Sequence, residues 1–159
     1  MSTASALAPR RGPRPTTTPE TPHQQVDQIA PEELQEKLWR RMAGLDHVRT
    51  GASVISLPET RALHLDPEHA LGPRSAFVRD STEFAHLHGP FDGSLHALLT
   101  EADAAELVEK GWGELHPIVH EGRHPPTLVM IYGPRDEEEL ETVWKLVRRS
   151  YAYASGQIL

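Results

Sequence analysis

Two stretches of the chain carry apolar residues at helical spacing, and several shorter ones alternate. Leu34, Leu38 and Met42, with Trp39 and Ala43 beside them, form a stripe that predicts a helix from Pro31 to about Ala43. Pro31 suits the first helical position, where its missing N–H costs nothing. Glu32 and Glu33 open the helix, Arg40 and Arg41 close it, and Gly44 is the expected stop. Leu140, Val143, Trp144, Val147, Tyr151 and Ala154 repeat in the same way, predicting a second helix capped by Asp136 with Glu139 at the reciprocal position and ended by Gly156. A third, shorter helix is expected from Thr100, with Asp103 three residues on, to Lys110, with Gly111 as a left-handed stop.

Strands are expected at residues 52–57 (ASVISL), 61–65 (RALHL) and 75–79 (SAFVR), and as a nearly continuous apolar run at 127–132 (TLVMIY). Residues 66–73, 112–117 and 120–126 read as loops or irregular links. The centre of the pattern is 83–99. Residues 83–88 and 94–99 alternate on either side of Gly89-Pro90-Phe91-Asp92-Gly93, a loop of turn formers, which predicts a hairpin. The simplest register puts His88 opposite Ser94 and His86 opposite His96. Phe84, His86, His88, Ser94, His96 and Leu98 then share one face, and Ala85, Leu87, Leu95, Ala97 and Leu99 the other. A slip of one residue would exchange the two faces. Short strands interspersed with three helices predict an α+β fold: a single domain with a mainly antiparallel sheet and helices packed on one face.

Composition adds a boundary. Residues 1–28 are rich in Pro, Thr, Ser and Ala without periodicity, so they are expected to form a disordered tail, leaving 29–159 as the folded domain. The formal charge of −7 argues against general binding to nucleic acid or to an anionic membrane. No apolar run approaches the roughly 20 residues of a membrane span. Arg10 and Arg11 are followed by no apolar segment, which argues against a signal peptide, so a cytoplasmic address is expected. Cysteine is absent, which removes thiolate chemistry and cysteine metal sites.

The candidate chemistry lies on the mixed face of the hairpin, in Glu83, His86, His88, Asp92 and His96, with His116 further on. His-x-His on a strand sets two imidazoles about 6.5–7 Å apart on one face, and a third across the hairpin closes a triangle. Histidines 86, 88 and 96 would therefore suit a divalent metal with an open position for substrate. The pattern resembles the metal motif of the double-stranded β-helix (cupin) proteins, although the spacing differs and no glutamate follows the pair. Without metal, the same histidines would serve as acids and bases oriented by Glu83 or Asp92. Phe84, Trp112 and Tyr132 would offer an aromatic wall to a flat molecule. The plain structural alternative is a set of hydrogen-bonded, partly buried histidines, with Trp112 plugging the core edge. His23, His47, His64, His69, His120 and His124 show no constellation.

The blocks EFAHLHGPFDGSLH (83–96), KGWGELHP (110–117) and YGPRDEEELETV (132–143) resemble, in order and spacing, those of the fungal luciferase family. The resemblance covers roughly residues 76–154. It implies an oxygenase that adds O₂ to a hydroxylated pyrone of the 3-hydroxyhispidin type, with loss of CO₂ and no cofactor beyond O₂. Carried onto this chain, it marks Glu83, His86, His88, Asp92, His96, Trp112 and His116. Its implied partner is a small enolic or phenolic substrate. With the residue chemistry it suggests that His86 or His96 takes the hydroxyl proton, that His88 and His116 stabilise negative charge, and that Ser94, Phe84 and Tyr132 line the substrate. A non-catalytic small-molecule binding module is the remaining reading.

Overall fold

The central hairpin adopts the register that strand alternation predicts, in a computed structural model that describes residues 6–121 and 127–157. Strands β3 (Glu83–Leu87) and β4 (Leu95–Leu98) pair antiparallel, with His86 opposite His96 and Leu87 opposite Leu95. Just past the strands, His88 N–H donates to Ser94 O at 2.9 Å. Around them a six-stranded sheet runs in the order β1 (Val48–Ala52), β2 (Arg61–Leu65), β3, β4, β6 (Leu128–Ile131), β5 (Gly113–Leu115). Every neighbouring pair is antiparallel.

Helices α1 (Glu32–Ala43), α2 (Glu101–Glu109) and α3 (Glu137–Ser155) contribute to one apolar cluster with one face of this sheet, giving the expected α+β fold. Leu38 and Met42 of α1 and Leu140, Val143 and Val147 of α3 join Ala85, Leu87, Leu95 and Ala97 in that cluster. Burying each leucine there is worth roughly 1.5–3 kcal/mol. The caps follow the sequence signals. Thr100 accepts from Asp103 N–H at 3.1 Å and Asp136 from Glu139 N–H at 2.8 Å. Gly111 and Gly156 take left-handed φ values of 82° and 79°, which glycine adopts without a Cβ penalty. The Glu139 carboxylate turns back to Arg135, accepting from its backbone N–H and its guanidinium.

Several elements differ from the sequence expectation. The first strand lies at Val48–Ala52 rather than over 52–57, because residues 53 and 54 turn away to bind Glu83. Residues 75–79 form no strand; a 3₁₀ turn at Arg74–Ala76 buries Ala76, Phe77 and Val78 instead. The link after α2 contains β5, which pairs with β6 and is too short to show a period. The polar loop expected at 120–126 falls largely outside the described residues.

A bulge in β3 also corrects the face assigned to Phe84. Leu63 pairs with Ala85 but His64 pairs with Glu83, so Phe84 is an extra residue in the ladder. An extra residue shifts the alternation by one. Phe84 accordingly enters the helix-side core, 5.9 Å from the Tyr151 ring, and is fully buried. Glu83, which strict alternation would set opposite the histidines, joins them.

Residues 6–28, expected from composition to be disordered, have defined contacts along the sheet. Leu7 is buried in the core, and Leu7 N–H donates to Glu106. Arg10 N–H donates to Lys110 O, Arg14 to Gly113 O, and Gln25 accepts from Gly133 N–H. Compositional disorder arguments count apolar surface; this segment is held largely by hydrogen bonds to residues far along the chain, on α2 and at the β5–β6 edge of the sheet. Among the described residues, no helix is long and apolar enough to cross a membrane.

Candidate functional site

The face of the sheet turned away from the helices carries three histidines from two strands. His86 Nε2 and His88 Nε2 each lie 3.1 Å from His96 Nδ1. All three are at most 6% exposed. They converge because His86 and His88 are two apart on β3 and its extension, while the register sets His96 opposite His86 on β4, within reach of both rings.

Each histidine is held from behind. The bulge brings Glu83 Oε2 to 2.7 Å from His86 Nδ1. That carboxylate also accepts from Ser53 Oγ and Val54 N–H. Burial pushes the Glu83 carboxyl up, but the His86 contact and these donors outweigh it and leave it below the usual range. His88 Nδ1 lies 2.9 Å from Ser94 Oγ, whose proton goes to Asp92 Oδ1 at 2.5 Å. Asp92 also accepts from Ser94 N–H across Gly93, whose φ of 71° closes the turn. Asp92 too is held low: burial raises it, and His88 and Ser94 more than compensate. Burial lowers the affinity of His86 and His96 for a proton, most strongly at His96, where the neighbouring imidazoles add to the effect.

The third support comes from the N-terminal segment. His23 Nδ1 lies 2.9 Å from His96 Nε2, and His23 Nε2 lies 2.9 Å from Glu114 Oε2 on β5. Glu114 also accepts from Tyr132 OH at 2.7 Å and from Thr17 Oγ1. Burial and Glu114 push the Tyr132 phenol up to about 12, so it remains a donor. Composition offered no reason to place His23 here. Glu114 lay within the KGWGELHP block, but with β5 unrecognised nothing aimed it at the histidines.

A cavity of about 270 Å³ opens onto this cluster. Its floor is His86, His88, His96, Asp92 and His116, and His23 and Pro22 form one side. Leu57 and Phe91 stand at the rim, 36% and 59% exposed, an apolar entrance to a polar floor. An enclosed site of about 150 Å³ holds benzene, so this one suits a molecule of one or two rings.

The expected substrate-contacting residues divide. His116 lines the cavity, its Nδ1 accepting from Ile118 N–H at 3.1 Å. Ser94 and Tyr132 lie behind the histidines rather than at the cavity wall. Trp112 packs into the apolar core and donates from Nε1 to Ala8 O at 2.7 Å, and Phe84 is on the far side of the sheet. His47 and His69 stack on each other, and His64 bonds to Ala52 O, both apart from the cluster. Among the described residues, two sets of three histidines present ligand nitrogens within 4.8 Å of one another: 86, 88 and 96, and 23, 96 and 116.

Residues 81–150 match the family model described as Luciferase domain. The chain is 33% identical over 167 aligned positions to proteins named Luciferase from Armillaria gallica and Armillaria mellea, covering 94% of this chain and 62% of each relative. It therefore spans about three fifths of their length. A protein of the same name from Neonothopanus nambi is 39% identical over 80 residues, 49% of this chain and 30% of the relative. No solved structure matches the chain.

Proposed function

From its similarity to the Luciferase domain model and to the fungal luciferases we propose that this chain belongs to that family and is an oxygenase acting on a small enolic or phenolic molecule, pyrone-like in shape. The observation that carries this is the convergence of His86, His88 and His96 at the floor of a ring-sized cavity, each backed by a hydrogen-bonding acid system. A flat substrate enters past Phe91 and Leu57 with its acidic hydroxyl towards the histidines. The hydroxyl gives its proton to the cavity-facing ring nitrogen of His86 or His96, with Asp92 on the same floor. His116, on the same floor, lies close enough to stabilise the oxyanion that forms.

The ionised ring is electron-rich at carbon. It gives two electrons to O₂, and both oxygen atoms remain on the substrate as a peroxide, so no external reductant is required. On a pyrone the cyclic peroxide can then break down with loss of CO₂.

An oxygen electrode tests the reading. Untagged protein with 3-hydroxyhispidin, or with simpler hydroxypyrones, is expected to take up one O₂ per CO₂ released. Tight binding of these molecules without oxygen uptake would leave a binding module in its place.

A further inference from the structure

The hydrogen bonds behind the three histidines determine where each ring carries its proton. An ionised carboxylate only accepts, so the Glu83 contact puts a proton on His86 Nδ1 and leaves a lone pair on Nε2. Ser94 Oγ gives its own proton to Asp92, so it accepts from His88 Nδ1, and His88 Nε2 also carries a lone pair. On the third arm, Glu114 accepts from His23 Nε2–H, which leaves His23 Nδ1 as an acceptor. His96 Nε2 must then donate to it, and His96 Nδ1 holds the third lone pair.

Three lone pairs thus meet, with His86 Nε2 and His88 Nε2 each 3.1 Å from His96 Nδ1 and no proton assigned between them. In a buried site that is repulsive unless a cation lies among them, and a single proton bridges only one pair of nitrogens whereas a metal ion engages all three. From this convergence we infer that His86 Nε2, His88 Nε2 and His96 Nδ1 form a binding site for one divalent first-row transition-metal ion, with Glu83, Ser94–Asp92 and His23–Glu114 as its outer shell.

The geometry fits. An ion about 2.05 Å from two nitrogens that are 3.1 Å apart subtends roughly 100°, between octahedral and tetrahedral values. Neutral imidazoles suit zinc, iron, manganese and nickel. All three rings line the cavity, so the ion's open side faces a ligand. Metal-bound histidines ordinarily donate their other N–H to a carboxylate or equivalent acceptor, and all three do so here, the third through His23. The other histidine set does not fit, because His116 Nδ1 accepts from Ile118 N–H and the His23–His96 contact already holds a proton.

The site deepens the oxygenase reading: with an ion bound, the three nitrogens would hold it in place of the substrate proton, and the ion would itself favour ionisation of the hydroxyl, whose proton would leave to solvent through the cavity mouth. Ion binding itself does not depend on that reading. His23 has a distinctive role as a positioning residue: it touches no ion but sets the His96 tautomer.

The test uses the full-length untagged chain, stripped with chelator and titrated with Co²⁺, whose visible absorption reports nitrogen coordination, with Zn²⁺ competition and elemental analysis after gel filtration. One ion per chain is expected. His88→Ala should abolish the cobalt spectrum, and His23→Phe should weaken affinity 10–100-fold with the fold intact by circular dichroism. If folded wild-type protein binds no stoichiometric ion, or if His88→Ala binds it unchanged, the inference is overturned. Stoichiometric binding without oxygen uptake on any hydroxypyrone would sink the oxygenase reading and leave the metal site standing. Full oxygen uptake by stripped protein that also fails to take up an ion would do the reverse.

Discussion

His23 Nδ1 lies 2.9 Å from His96 Nε2, although the two residues are 73 positions apart. Because His96 is clasped from both ring nitrogens, the N-terminal segment is part of the site it crosses. Replacing His23 with phenylalanine keeps a planar ring, somewhat larger than imidazole, but removes both hydrogen bonds. Oxygen turnover is expected to fall at least tenfold, in line with the loss of an outer-shell partner. The melting temperature should change little. Turnover and thermal melts on the same preparation check this.

Phe84 provides the opposite case. It lies between the catalytic candidates Glu83 and His86 in sequence but faces the helices. Phe84→Ala should cost about 3–5 kcal/mol of stability, measured by denaturant unfolding. Activity per folded molecule is expected to stay within twofold of wild type. A selective loss of turnover at full stability would return Phe84 to the substrate pocket.

Phe91 should govern entry rather than chemistry. It lines the cavity and is 59% exposed, at the rim. Removing its ring takes away apolar contact that ground state and transition state share. Phe91→Ala is expected to raise KM severalfold with kcat unchanged, read from steady-state oxygen uptake.

The Arg135–Glu139 pair sets a pH dependence away from the site. Burial raises the Glu139 carboxyl, but Arg135 outweighs it through its guanidinium and backbone N–H, so the folded pKa lies below the ordinary 4.5. A depressed carboxyl stabilises the fold above the unfolded value and loses that contribution as pH falls through the folded one. Glu139→Gln should therefore be less stable than wild type by about 2 kcal/mol at neutral pH. The difference should shrink progressively below pH 4.5. Denaturant titrations of both proteins at pH 7 and pH 3.5 measure it.

The amino-acid sequence by itself determined the three helices, their caps, the hairpin register and the convergence of His86, His88 and His96. These depend on residues close in the chain, where side-chain period and turn chemistry act directly. Only the tertiary structure decided the rest. One extra residue in β3 exchanged the faces of Glu83 and Phe84, and it arises from pairing with β2, not from anything local to 83–88. Glu114 reached the site because three residues paired with β6, too few to show alternation. His23 reached it because a polar segment found donors and acceptors on strands far along the chain. The histidine triangle was legible from spacing. The acids and the imidazole that assign its protons were not, since those contacts depend on long-range packing that no local period encodes.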